Sequence, residues 1–334
     1  MKKWIEELKS AQCKKPMPLL SFPSVSLLGV SVRELISDCE LQARGMQAVA
    51  EAIDASASVS FMDLSLEAEA FGATVSFSED EVPTVKGRLI TDSAEAEALR
   101  IPEVGSGRTG IYIEAVRKAV QKITDRPAFA GIIGPFSLAA RLLDVTEIMM
   151  DCYDDPDMVH LVLEKSTAFL IEYAKAYRAA GAAGIVMAEP VSGLLSPMLE
   201  EEFSSPYVKK IVDALQDDNF IVIYHNCGDN VPKMLDSILS TGAAAYHFGN
   251  AVDMEEDIIK KVPADTLVMG NIDPAGILRM GTPEKVREAT LALLEKCSKY
   301  PNFLLSSGCD IPPMTPWENI KAFFAAFDEY YGKV

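Results

Sequence analysis

Ile221-Val222-Ile223-Tyr224-His225-Asn226-Cys227-Gly228-Asp229 is an apolar run that stops abruptly in a histidine, a cysteine and a turn. β-Branched and aromatic residues in such a run, cut off by Asn, Gly and Asp, predict a buried strand opening into a loop. Side chains two apart on a strand share a face, so His225 and Cys227 point the same way. An imidazole nitrogen and a thiolate are both good zinc ligands, but a catalytic zinc normally takes three protein ligands and a structural one four. A third candidate stands far downstream. It is Cys309, in Phe303-Leu304-Leu305-Ser306-Ser307-Gly308-Cys309-Asp310, again where an apolar run meets a loop. Such ligands converge only if one sheet brings the same ends of both strands together.

Outward from that strand the chain alternates between extended and helical patterns. Apolar runs at 129–135, 184–190, 243–248 and 266–270 predict further strands, and three- and four-residue apolar spacing predicts helices over 157–180, 200–215, 231–239, 254–262, 283–299 and 316–331. Nearer the N-terminus, an amphipathic helix precedes a short apolar run at 18–23. Residues 31–54 have helical spacing (Leu35, Ile36, Leu41, Met46, Val49, Ile53), and 58–64 reads as another strand. With both early candidates the total is about eight strands alternating with helices. The expected fold is therefore α/β, a (β/α)8 TIM barrel forming a single domain over residues 1–334. A helical extension leads it, and an irregular insertion lies around 73–104. No Gly-x-Gly-x-x-Gly follows an early strand and no Gly-x-x-x-x-Gly-Lys-Ser/Thr occurs, which leaves a doubly wound nucleotide-binding fold the weaker alternative.

Composition narrows the function. With 49% hydrophobic residues, the 334-residue chain has ample material for a full core. The net charge of −18, from 31 basic and 49 acidic residues, speaks against nucleic acid and against an anionic membrane surface. The N-terminus lacks the apolar run of a signal peptide, and no stretch approaches a bilayer-spanning length. Six cysteines scattered without a framework spacing suit a reducing cytoplasm and predict no disulfides. Cys13, Cys39, Cys152 and Cys297 read as small core residues.

Active sites of this fold lie at the C-terminal ends of the strands. The polar residues expected there are Asp63, Glu189, His225 with Cys227, His247, Asn271 with Asp273, and Cys309. Glu189, just before Pro190, reads as a fourth metal ligand, a general base, or a carboxylate capping the next turn. His247 reads either as a substrate contact or as a satisfied core histidine. Asn271 and Asp273 fit an Asx-type turn, and their rim position also suits contact with substrate, as does that of Asp63.

With these residues in view, the chain resembles the uroporphyrinogen decarboxylase superfamily. Within it, the likeness is to the cobalamin-dependent methyltransferases that pass a methyl group between a corrinoid protein and a thiol such as coenzyme M. The likeness is carried by 62–72 (Met62-Asp63-Leu64 through Gly72), Gly134-Pro135-Phe136-Ser137, Tyr153-Asp154-Asp155-Pro156 and Ala188-Glu189-Pro190. It continues through Gly270-Asn271-Ile272-Asp273-Pro274 and Gly308-Cys309-Asp310-Ile311-Pro312-Pro313. His-x-Cys followed much later by Cys is its most specific feature. The resemblance implies a Zn2+ ion on His225, Cys227 and Cys309, and methylcobalamin as substrate or on a small corrinoid-binding partner protein. It also implies a small-molecule thiol or methylated substrate.

Two departures qualify it. The decarboxylase branch carries an arginine-rich N-terminal segment for porphyrin carboxylates, whereas residues 16–30 contain no arginine. Methyltransferases of the branch often have Asp where Glu189 stands. Three rivals keep the fold. One is a demethylating enzyme that loads a corrinoid protein from an O- or N-methyl substrate, another a decarboxylase-type lyase, and the third a non-enzymatic barrel with a closed structural zinc.

Overall fold

The computed structural model describes residues 1–332. In chain order its strands are β1 (Ser58–Val59), β2 (Thr74–Ser76), β3 (Thr84–Lys86), β4 (Ala128–Ile133), β5 (Gly184–Ala188), β6 (Ile221–Asn226), β7 (Ala245–Phe248), β8 (Leu267–Ile272) and β9 (Phe303–Ser307). β2 and β3 form an antiparallel hairpin, and the other seven make one parallel sheet in which each strand pairs with the next. Helices join them along the outer face, the TIM-barrel arrangement expected.

Period-two alternation sorts the side chains. Val186, Ala188, Ile221, Ile223, Ala245, Leu267, Met269 and Leu304 form one buried cluster inside the curl of the sheet. Val222, Tyr224, Tyr246 and Leu305 face the other way, into the larger cluster shared with the helices. The N-terminal helix Lys2–Ser10 lies at the barrel's opposite, N-terminal end. There Ile5 and Leu8 join the interior cluster, Trp4 lies 5.4 Å from the Phe129 ring, and Lys9 Nζ donates to Asp265 O ahead of β8.

The run at 18–23, expected as the first strand, is not one. Residues 16–20 run between β1 and β9, in the eighth position of the barrel, without a regular ladder. Ser56 N donates to Pro16 O (3.0 Å), Met17 N to Leu305 O (2.9 Å), Leu19 N to Ser307 Oγ (3.0 Å) and Ile311 N to Leu19 O (2.9 Å). Pro16 and Pro18 have no N–H to give, so the ladder is broken at alternate residues and serine hydroxyls take up part of the pairing.

Two helices that periodicity alone leaves continuous are broken. Asp38 accepts from Glu40 N and Leu41 N, dividing 31–54 into Val32–Leu35 and Cys39–Ala52. The helix expected over 200–215 divides at Ser204 into Pro197–Phe203 and Ser205–Leu215, the second with a proline in its first turn. The stretch at 73–104 holds the β2–β3 hairpin and helix Ser93–Ala98. Helices Thr109–Lys122, Pro135–Leu143 and Val145–Asp154 add to those expected. After β7 and β8 the chain winds wide, with Lys260 N donating to Glu255 O and Leu278 N to Asp273 O, five residues back. No helix among the described residues is long and apolar enough to cross a membrane.

Candidate metal centre

The interior face of β6 reads Ile221, Ile223, His225, so the apolar column ends in an imidazole, and Cys227 follows just past the strand. Across the barrel, Cys309 follows β9 by two residues. Closure of the sheet brings the three together: a ring nitrogen of His225 and the sulfurs of Cys227 and Cys309 all lie within 4.8 Å of one another. His225 is buried, whereas both cysteines are half-buried, so the group is open on its sulfur side. Among the described residues it is the one group of this kind with metal-holding geometry. Close backbone packing sets the sulfur loops. A Cβ on Gly249 would lie 2.5 Å from Cys227 Cα, and one on Gly308 would lie 2.8 Å from Asn250 N.

The sulfurs act as an acid–base pair. The Cys227 thiol is pushed down, chiefly by the hydrogen bond from Cys309 and against burial. Cys309 is pushed up by that same bond and by burial. One proton between two sulfurs describes the pair best, with Cys227 as thiolate.

Hydrogen bonds behind His225 fix its tautomer. Ser306 Oγ lies 2.7 Å from Met17 O, a carbonyl that only accepts, so the serine donates there. Its oxygen then accepts from His247 Nε2 at 2.8 Å, which leaves His247 Nδ1 with a lone pair. That lone pair accepts from His225 Nδ1 at 2.7 Å, and His225 Nε2, 3.4 Å from Cys309 Sγ, is left free to ligate. His247 is fully buried, and desolvation first, then the neighbouring His225, pushes its pKa well below the usual histidine range. It is neutral, as the chain of donors requires. An imidazole whose Nε2 faces two sulfurs that share one proton is a soft N/S donor set that fits zinc.

The remaining candidates lie elsewhere. Glu189 is enclosed, and its carboxylate accepts from Phe136 N (2.8 Å), Ser137 N (2.9 Å) and Ser137 Oγ (2.6 Å) at the start of helix Pro135–Leu143. Burial lifts it to about 7 against those bonds. The structure sets it in a capping position and does not bring it to the sulfur pair. Asp63 accepts from Ser65 N, Ser65 Oγ, Arg108 Nη1 and Tyr112 OH, which together occupy both carboxylate oxygens. Asn271 Nδ2 donates to Gly249 O and Val252 O, each at 2.9 Å, and Asp273 accepts from Ala275 N and Gly276 N. His247 is the core partner of His225. Sequence reasoning passed over Ser306, whose signal was a pair of serines ending an apolar strand.

Fold and ligand set together define a (β/α)8-barrel protein with a candidate metal centre at the C-terminal mouth of its barrel. The chain belongs to the uroporphyrinogen decarboxylase (URO-D) family, whose family model matches residues 24–330. It is 30% identical over 276 residues to the methylcobamide:CoM methyltransferase MtbA of Methanosarcina acetivorans, covering 80% of this chain and 78% of that one. It is 29% identical over 282 residues to a uroporphyrinogen decarboxylase of Desulfotalea psychrophila, covering 82% and 80%. A solved structure described as a methyltransferase from Methanosarcina mazei superposes with a TM-score of 0.85 at 26% identity, covering 98% of this chain and 97% of that one.

Proposed function

We propose that this protein moves a methyl group from a methylated corrinoid, presented by a separate small protein, to a small thiol, and that it works with zinc held by His225, Cys227 and Cys309. The observation that carries this reading is the convergence of one imidazole and two sulfurs at the barrel mouth. The methyltransferase relatives support the reaction, and the N-terminal stretch without arginine weighs against a porphyrin substrate. The free thiols of all six cysteines suit a reducing compartment such as the cytoplasm.

A zinc ion so held supplies a Lewis acid that keeps the acceptor's sulfur as thiolate. In the transfer the thiolate forms a sulfur–carbon bond to the methyl group as the carbon–cobalt bond breaks. The bonding pair leaves on cobalt, which passes from the III to the I state, and the thiol proton goes to solvent. The protein's own contribution is positional. His247 and Ser306 keep the His225 lone pair aimed, Cys227 and Cys309 offer sulfurs already down by one proton, and the half-buried sulfur side admits the acceptor.

Elemental analysis of the purified protein beside Cys227→Ala and Cys309→Ala tests the centre. Near one zinc per chain, lost in both variants, is expected, followed by methylation of a thiol from free methylcobalamin by the unmodified protein alone. A zinc-free protein that takes up none when supplied with it overturns the reading.

A further inference from the structure

Between the N-terminal helix Lys2–Ser10 and the proline-interrupted segment at 16–20 the chain reads Cys13-Lys14-Lys15. The two lysines differ. Lys15 Nζ pairs with Asp54 Oδ1 at 2.8 Å and is half-exposed. Lys14 is only 8% exposed and makes no hydrogen bond or ion pair with any described residue. Burial alone pushes its pKa down, and no carboxylate offsets the shift. An ammonium held out of water without a counter-ion is costly, and lysine is seldom buried unless it is paired. Carboxylates abound on a chain of net charge −18, yet none faces this one.

Lys14 lines a cavity of about 250 Å³ at the N-terminal end of the barrel, opposite the metal centre. Trp4 and Leu8, both on the N-terminal helix, give it an apolar wall, and Ser56 adds a hydroxyl. Three charged groups line the cavity, and two of them are already balanced. Glu7 Oε1 lies 3.4 Å from Lys3 Nζ, and Lys15 is held by Asp54. One positive charge, that of Lys14, is left over. A single unbalanced cation beside an apolar wall suits an anion of one charge with an apolar body. The volume falls below the roughly 300–1,000 Å³ of sites for drug-sized ligands, which points to a small molecule.

We propose that this cavity is a second binding site, which takes a small monocarboxylate on the Lys14 ammonium with the ligand's apolar body against Trp4 and Leu8. Lys14 belongs to the segment that enters the barrel wall and Trp4 to the helix that covers the barrel's end, so the ligand would fasten one to the other.

Isothermal titration calorimetry of the full-length protein with butyrate, benzoate, butyramide and inorganic phosphate, at fixed ionic strength and neutral pH, tests the site. At least one of the two carboxylates should bind once per chain and about tenfold or more tighter than neutral butyramide. Lys14→Met, which keeps an apolar stem and removes the charge, should weaken that binding about ten- to a hundred-fold, the range expected for charge-assisted hydrogen bonds. Without ligand, Lys14→Met should melt no lower than the unmodified protein, because it removes a buried charge that nothing in the chain balances. Lys14→Gln serves for the binding comparison if the methionine variant fails to fold. Binding of neither carboxylate overturns the site, as does equal carboxylate binding to the unmodified protein and the variant, which locates the anion elsewhere. Phosphate binding tighter than both carboxylates overturns the assignment of a monocarboxylate. A ligand-free Lys14→Met that melts lower or fails to fold shows that Lys14 has a partner within the chain and overturns the proposal independently of any ligand.

Discussion

His247 is silent in any charge-based reading, since it is buried, neutral and two bonds removed from solvent chemistry, yet it decides which nitrogen of His225 faces the sulfurs. Replacing it with leucine removes the nearer acceptor for His225 Nδ1–H, at 2.7 Å, and leaves only the carbonyl of residue 247 at 3.3 Å. Zinc affinity, measured by competition with a chromophoric chelator, should fall about ten- to a hundred-fold, the usual effect of losing a ligand's hydrogen-bond partner. Glutamine, which offers both an acceptor and a donor, should restore part of it. The ligands themselves were legible: the period-two spacing of His225 and Cys227 and the strand-end position of Cys309 need no partner strand to be seen. The role of His247 was not, because it depends on the β6–β7 register that sets His225 beside His247.

Loops after the strands hold the two cysteines, and Asn271 holds one of those loops. Its carboxamide bridges Gly249 O and Val252 O, and Gly249 is packed on the backbone of Cys227. Asn271→Ala should therefore lower stability to urea by about 1–3 kcal/mol, the scale of leaving partly buried carbonyls unpaired. It should also weaken zinc binding, although Asn271 touches no ligand. At this scale the regular strands from β4 onward were readable because buried parallel strands are continuous apolar runs. Helix breaks were harder, since Asp38 ends one helix and starts another through two hydrogen bonds that leave the apolar spacing intact. The first strand failed for a local reason, two prolines at alternate positions.

Across the whole molecule, buried carboxyl groups tie stability to pH. Glu67 is enclosed, with Ile133 N donating to Oε1 at 3.0 Å and Oε2 unpartnered, and burial lifts it from 4.5 to about 8. The unfolded chain releases this proton near the ordinary value while the native protein keeps it. The contribution to stability is thus complete below pH 4.5 and is lost as pH rises through about 8. Glu189, lifted to about 7, adds a loss of the same sign. Urea midpoints at pH 5 and pH 9 should show the decline, on the order of 1.4 kcal/mol per unit of pKa difference, and Glu67→Gln should flatten much of it.

The proline-interrupted segment at 16–20 gives the barrel a seam. Seven strands are stitched by continuous ladders, whereas this position is held by isolated bonds to β9 and to the residues around it. Its amides at Met17 and Leu19 should exchange with deuterium sooner than those of β5 or β6, because few bonds must break to free them. The same seam bears on Ser306 and Ser307, three and two residues before Cys309. Breathing there would move one jaw of the metal clasp, and zinc should in turn slow exchange at Met17, an amide that touches no ligand.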